Sequence, residues 1–438
     1  IRVSMNRVSQ EYQGVAGISD RPASNAYKHY TLVVLALIYA SSFMDRQITS
    51  ILLEDLKAEF LLNDTQLGLL SGLAFALFYA TLGVPIARLA DRINRVNIIA
   101  VAVTIWSVMT ALSSVAGSFT QLLLARVGVG VGEAGANPPS HSIISNYYGP
   151  KDRPMALSVW AMGSILGSIL GTVLGGYIAE HYGWRMAFLI LGIPGIGLAV
   201  LLKLTVREPP REGESIPEKS AASVNRSFTE VLKYLRSNPG YVHSVGAHVV
   251  AVFFGYSCSA WLPAFYLRNW DIGQSEVGVL FGTVLVAGGV TGLIAGGWMT
   301  RKMAERDKGW EAWVSAISLL LAAPAFAISL NTDSLLLASV SVGVAFFFYQ
   351  CTHGPGLALV QSSVDSDVRA TAAAIMYLLS NLLALGIGPL IVGYISDLSL
   401  GASAGRSLGI GMHFGVFALI AGSAWFGYLG FLWRRLPG

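Results

Sequence analysis

Residues 126–137 read Arg126-Val127-Gly128-Val129-Gly130-Val131-Gly132-Glu133-Ala134-Gly135-Ala136-Asn137. Gly130, Gly132 and Gly135 formally satisfy G-x-G-x-x-G. A dinucleotide-binding loop needs a strand before those glycines and a βαβ unit around them. Neither is visible, because the stretch lies inside a long apolar run, about 120–146. The glycines are therefore read as surfaces for close helix packing in a membrane. At 3.6 residues per turn Arg126, Glu133 and Asn137 share nearly one helix face. Arg126 and Glu133 stand two turns apart, about 10.5 Å along the axis. Each therefore needs a partner from another helix.

The rest of the chain agrees with a bilayer. Of its 438 residues, 54% are hydrophobic and only 12% charged, about half the charged share of a soluble domain. Too few charges remain to solvate the two or three domains that such a length would need. Twelve runs have the length and apolarity of a crossing: 30–53, 66–87, 97–117, 120–146, 154–180, 185–206, 241–267, 275–299, 310–330, 334–360, 367–396 and 408–433. The fold class is all-α, a membrane protein of twelve helices in two pseudosymmetric six-helix bundles. Residues 1–29 form a tail, 30–206 the first bundle, 207–240 a linker and 241–438 the second bundle. The polar tail up to Lys28 gives no sign of a cleavable signal peptide. In the linker, Ser227 and Glu230 form a capping box for a short helix carrying Phe228, Val231, Leu232 and Leu235 at helical spacing. Asn238-Pro239-Gly240 stops it. That helix either lies along the membrane surface or packs on the protein.

The halves echo each other. Thr65-Gln66 with Gly68 and Gly72 matches Ser275-Glu276 with Gly278 and Gly282, and Gly176-Tyr177-Ile178 matches Gly393-Tyr394-Ile395. Repeats of this kind mark duplicated six-helix units. Of the 29 Lys and Arg, two (Arg46 and Arg126) lie within spans and four (Lys57, Arg185, Arg268 and Arg406) on one side, leaving 23 on the side of the termini. The positive-inside rule then places both termini and the linker in the cytoplasm, with the chain in the plasma (inner) membrane. The net charge of +4 does not point to nucleic acid, because the basic residues sit in short loops between spans. Cys258 and Cys351 fall inside spans and read as packing residues.

The loop after the second span, Ala87-Arg88-Leu89-Ala90-Asp91-Arg92-Ile93-Asn94-Arg95, resembles the signature loop of the major facilitator superfamily. Its Asp-Arg-x-Asn-Arg variant, and the first-span stretch Tyr39-Ala40-Ser41-Ser42-Phe43-Met44-Asp45-Arg46, are similar to the Spinster branch of that superfamily. Ala87 and Asn94 stand where glycines are common, and Val96 replaces a basic residue. The corresponding second-half loop, Gly296-Gly297-Trp298-Met299-Thr300-Arg301-Lys302, lacks the aspartate. The resemblance implies alternating access, with Asp91, Arg92, Arg95 and Arg153 forming a cytoplasmic gate; a solvated loop that only sets topology is the alternative. Span 5, with Gly163, Gly167, Gly171, Gly175 and Gly176, lacks the Gly-Pro pair of an antiporter motif and reads as a packing surface.

An ionised group at mid-membrane costs about 2.5–3.5 kcal/mol. Asp45, Arg46, Arg126 and Glu133 would cost roughly 10 kcal/mol together if unpaired. They are expected to balance, for example as Asp45 with Arg126 and Glu133 with Arg46. Glu133, with Asp45 second, is the candidate for binding and releasing a coupled proton; a permanent ion-pair cluster is the alternative. The second half has no such charges and offers Tyr349, His353, Tyr377 and Asn381 toward substrate, beside Arg46, Arg126 and Asn137 from the first. Spinster relatives imply a lysolipid or sphingosine-phosphate-like substrate, its head on Arg46 and Arg126 and its tail on an aromatic wall. Small organic anions such as sugar acids, and a non-transporting receptor or scaffold, are the other readings. No Walker A loop, nucleophile elbow or metal-spaced cluster is present, so no enzyme, cofactor, metal or nucleic-acid role is expected. The partners expected are the substrate, protons and membrane lipids, with the chain acting as a monomer.

Overall fold

The structure is a computed structural model that describes residues 24–90, 92–149, 151–209, 228–365, 368–399 and 401–435. Regular structure among them is entirely helical. The first half comprises α1 (Asn25–Ile51), α2 (Leu53–Phe60), α3 (Asp64–Ala90), α4 (Arg95–Ser113), α5 (Phe119–Glu133), α6 (Asn137–Tyr147), α7 (Arg153–Tyr182) and α8 (Trp184–Thr205). A short α9 (Phe228–Ser237) leads into the second half. That half comprises α10 (Pro239–Asn269), α11 (Gln274–Ala304), α12 (Trp310–Asn331), α13 (Leu335–Gln350), α14 (His353–Ser362), α15 (Arg369–Leu379 continuing through Ser380–Leu385 into Gly386–Leu398) and α16 (Ala404–Arg435). Single π turns interrupt α3 at Leu69–Leu73, α11 at Leu285–Val290 and α15 at Ser380–Leu385.

Among the described residues eleven helices are long and apolar enough to cross a membrane. The twelfth expected crossing, 120–146, is divided. Its pieces, α5 and α6, have 15 and 11 residues, and 15 residues rise only about 22 Å against a hydrocarbon core of about 30 Å. The cause is local. Pro138 and Pro139 occupy the first turn of α6, where they lack amide donors, and Ala134-Gly135-Ala136 turns the chain ahead of them. The same helix of the second half is broken at Cys351-Thr352, ahead of His353-Gly354-Pro355. Both breaks fall inside expected crossings, 120–146 and 334–360, and irregular backbone within a bilayer is tolerated only inside protein or beside a water-filled space.

Large apolar side chains line the outer surface, among them Val101, Leu124, Leu166, Leu204, Leu336, Val340 and Phe417. A soluble protein does not expose such a belt; this is a multi-pass integral membrane protein. Within the first half, Gly163, Gly167 and Gly171 of α7 press against the α1 backbone at Ala36, Ala40 and Met44. A Cβ at Gly167 would overlap the Ala40 carbonyl, so the glycine ladder is what lets the two helices touch.

The two halves meet along α7 with α11 and α3 with α15, and along α1 with α10. Among the described residues, the hydrogen bonds between halves cluster at the end opposite the termini, termed the far end below. Gln47 Nε2 donates to Ser259 Oγ at 2.9 Å, and Ser50 Oγ donates to the Ser259 and Ala260 carbonyls. The linker helix α9 rests on the second half through buried Val231 and Leu235, which join Tyr241, Val245 and Val364, while Phe228 and Leu232 stay exposed. Ser227, half of the expected capping box, lies outside the described residues. Asn238 caps α10 instead, its Oδ1 accepting from the Tyr241 amide at 3.1 Å.

Candidate functional site

Helix α1 carries Asp45 and Arg46 to the break that follows α5. Arg46 Nε and Nη2 both donate to Glu133 Oε2, at 2.9 and 2.6 Å. Glu133 is the last residue of α5, so its carboxylate sits at the negative end of a helix dipole, which disfavours it. The guanidinium offsets that. Arg46 is itself held over three rings, those of Phe43, Phe75 and Tyr79, at 4.8, 4.7 and 4.9 Å from their centroids. Asn137 Nδ2 donates to the Tyr79 hydroxyl at 3.0 Å, fixing one wall of this cage from the far side of the helix break. Tyr39 adds another wall, stacked on Trp160 at 3.8 Å.

Asp45 and Arg126 complete the cluster differently. They are 1% and 3% exposed. Both Asp45 oxygens, and Arg126 Nε and Nη1, have no hydrogen-bond partner. Thr110 stands beside Asp45 without reaching hydrogen-bond geometry. Asp45, Arg126, Glu133 and Arg46 lie within electrostatic reach of one another. One oppositely charged pair, Arg46 with Glu133, is in contact, and Asp45 with Arg126 is not. Buried polar atoms are rarely left this way.

In the second half, the Tyr256 hydroxyl donates to Asn381 Oδ1 at 3.2 Å. Tyr377 is half exposed. Its phenol and that of Tyr256 lie within electrostatic reach of Tyr39 and, for Tyr256, of Tyr79 and Arg46. Of the expected residues, Tyr377 lies within electrostatic reach of Tyr39, and Asn381 is joined to the Arg46 cage through Tyr256. Tyr349 and His353 belong to a second cluster. Tyr349 is buried edge-on to Phe254 and Phe346, and the His353 ring lies 5.1 Å from it. His353 Nδ1 has no partner, and His248 stands 6.3 Å away.

The expected gate residues sit elsewhere. Asp91 lies outside the described residues. Arg92 is exposed. Arg95 is buried and committed to the first half and the start of the linker: Nε donates to Glu208 Oε1 at 2.5 Å, Nη1 to Ser142 and Asn146, and Nη2 to the Pro209 carbonyl. Arg153 Nη2 donates to the Ser145 carbonyl at 2.8 Å. Arg95 thus ties α4, α6 and the segment after α8 together. The sequence reading missed three groups: the Phe75/Tyr79 pair, one helical turn apart on α3; Gln47 and Ser50; and a far-end ion network centred on Asp64. Asp64 accepts from Lys57 Nζ at 2.6 Å, from Arg268 Nη1 and Nη2 at 2.7 and 2.8 Å, and from Ser396 Oγ at 2.6 Å. Arg268 also donates to Glu54.

A model of the Major Facilitator Superfamily matches residues 35–389. The chain is 33% identical over 381 residues to an MFS-type efflux pump of Mycolicibacterium smegmatis, covering 86% of this chain and 87% of that one. It is 30% identical over 397 residues to Protein spinster homolog 1 of Rattus norvegicus (84% and 73%) and 29% identical over 394 residues to that of Homo sapiens (84% and 73%). Among solved structures it is similar to a bacterial homologue of the human lysosomal transporter Spinster, at 30% identity over 95% of this chain and 100% of that one. The TM-score is 0.86 for the inward-facing, unoccupied form and 0.83 for the inward-facing, occupied form. The chain therefore belongs to the major facilitator superfamily, on its Spinster branch, and is a membrane transporter rather than an enzyme.

Proposed function

We propose that this transporter is proton-coupled and moves an amphipathic lipid with an anionic or zwitterionic head, of the lysolipid or sphingosine-phosphate kind, by alternating access. The observation that carries the reading is the Arg46–Glu133 contact beside the unpartnered Asp45 and Arg126. A carboxylate holds Arg46 strongly and a neutral carboxyl far less so. An anionic head that takes Arg46 must displace Glu133, which then accepts a proton rather than remain a buried lone charge. Head group and proton are therefore loaded together and travel in the same direction. Arg126, with two free donors, is the second contact for the head, and Asp45 the second proton acceptor. The rings around Arg46, with Tyr256 and Tyr377 opposite, supply the apolar wall for the tail.

Both termini and the linker lie on the cytoplasmic face of the plasma membrane, on the strength of the Lys/Arg bias. The far end is then the outer face, and its closure corresponds to an inward-facing state. The bundles 30–206 and 241–438 rock about the Arg46 cage as a monomer. The test is uptake into proteoliposomes of labelled lysolipid against labelled sugar acid, with and without a pH gradient. Lysolipid uptake that rises with the gradient supports the reading. Robust sugar-acid uptake with none for any lipid would replace the lipid by a small organic anion, which the same arginines fit.

A further inference from the structure

The geometry points to Asp397 and Glu180 as a crossed pair of latches that hold the far end shut, each carboxylate of one half capping the first turn of a helix of the other. Asp397, near the end of α15, accepts at Oδ1 from the Asp64 amide (3.0 Å) and at Oδ2 from the Thr65 amide (2.7 Å) and hydroxyl (2.6 Å). These are the first residues of α3, a helix of 27 residues. Glu180, near the end of α7, accepts at Oε2 from the Ser275 amide (2.7 Å) in the first turn of α11. An anion at a helix N-terminus satisfies amides that have no partner within the helix.

The two contacts are one device built twice. Asp397 and Glu180 are separated by 397 − 180 = 217 residues, the same spacing as Gly393 and Gly176, one turn earlier. Each glycine meets the backbone of the opposite half just ahead of the capped amides. A Cβ at Gly393 would overlap the Asp64 carbonyl, and one at Gly176 the Gln274 carbonyl. The glycine sets the approach and the acid, four residues on, makes the bond. The Asp397 latch is the stronger: it makes three bonds, and the helix it caps begins with Asp64, which Arg268 and Ser396, from the same half as Asp397, also hold. The Glu180 latch makes one backbone bond.

This inference rests on the alternating-access reading above, because a latch matters only if the far end opens. It assigns Asp397 and Glu180 as positioning residues of the transport cycle, remote from the Arg46 cage. The test uses spin labels at Leu61→Cys and Asp271→Cys, exposed positions at the far end of the two halves; the native Cys258 and Cys351 are buried. Distances between the labels are compared among the parent, Glu180→Gln, Asp397→Asn, the double variant and Asp397→Glu. The expected result is a shift to longer distances in Asp397→Asn. The open-to-closed ratio should rise by roughly tenfold or more, as for loss of charge-assisted bonds. Glu180→Gln should give a smaller shift, the double variant the largest, and Asp397→Glu a partial return. Unchanged distance distributions in a folded double variant would overturn the latch. A variant that is merely less stable, with the parent's distances, would do so too. Failure of the parent to transport any solute overturns the transport reading, and the distances still report on the latch.

Discussion

Replacing Arg46 by Met should destabilise the protein more than replacing Glu133 by Gln, although both remove the same ion pair. The asymmetry comes from what each change leaves behind. Without Arg46, the Glu133 side chain is 1% exposed, at the end of α5 where the helix dipole opposes it. Breaking a buried pair in this way costs about 3–5 kcal/mol, and the nearby Arg126 returns part of it. Without the Glu133 charge, Arg46 keeps its three ring faces, each worth about 0.5–2 kcal/mol. Its side chain is 16% exposed, and Gln still offers an oxygen. A loss of about 1–2 kcal/mol is expected there. The difference, about 1.5–2 kcal/mol, is more than tenfold in the unfolding equilibrium. The double variant should cost less than the sum of the singles, by about 1–2 kcal/mol, because the charges are in contact. The assay is equilibrium unfolding in mixed micelles, read by thiol labelling of Cys258 and Cys351, both buried in the folded state. Equal losses for the two single variants, or strict additivity in the double, would refute the reasoning.

Gly167→Val should break the α1–α7 contact, since the added carbon overlaps the Ala40 carbonyl. Reduced yield and transport are expected, whereas Gly197→Ala, whose Cβ would meet nothing, should leave both unchanged. Arg268→Met removes two bonds to Asp64 and one to Glu54 while Lys57 remains. Far-end opening measured by spin-label distances should increase, whereas Lys57→Met, which breaks a bond within the first half, should not add to it. Asp55 crosses the halves at 2.5 Å to Gln274 Nε2. Burial pushes its carboxyl above the ordinary value, Glu54 adding to this and the Gln274 bond opposing it. If opening exposes Asp55 and returns it to the ordinary value, protons bind the closed form more tightly. Its contribution to closure is then full below the ordinary value of about 4 and is lost as pH rises through the raised one. The closed fraction of the parent relative to Asp55→Asn should therefore rise as the pH is lowered; an unchanged difference would refute the assignment.

The crossings and the central charges were legible because each follows from a solvent argument. Apolar runs of membrane length have few other uses, and Asp45, Arg46, Arg126 and Glu133 stand out because ionised groups are costly in such runs. That Glu133 takes Arg46 follows less directly: charge balance left several pairings open, and the helix break at 134–136 decides which carboxylate meets which cation. The break itself was visible in Pro138-Pro139, yet an apolar window spanning 120–146 conceals it. Phe75 and Tyr79 carried no signal beyond an i, i+4 spacing ordinary for a packed helix. The far-end network was illegible for a different reason. Asp64, Glu180, Arg268 and Asp397 lie at span edges, where charges are unremarkable, and their partners in the opposite half are 95 to 333 residues away. Only the repeated offsets between the halves hinted at it. Arg95 read as a gate residue because of its motif; its bond to Glu208, 113 residues on, depends on how the end of α8 returns to α4.

The central claim is that proton and anionic head group are loaded together through Glu133. Its most direct test is the pH change inside proteoliposomes when labelled lysolipid is supplied outside, for the parent and for Glu133→Gln. Lysolipid entry should acidify the lumen in the parent. In Glu133→Gln, lysolipid exchange should proceed without acidification and without accumulation driven by a pH gradient. Full gradient-driven accumulation by Glu133→Gln, with lumen acidification equal to the parent, would contradict it.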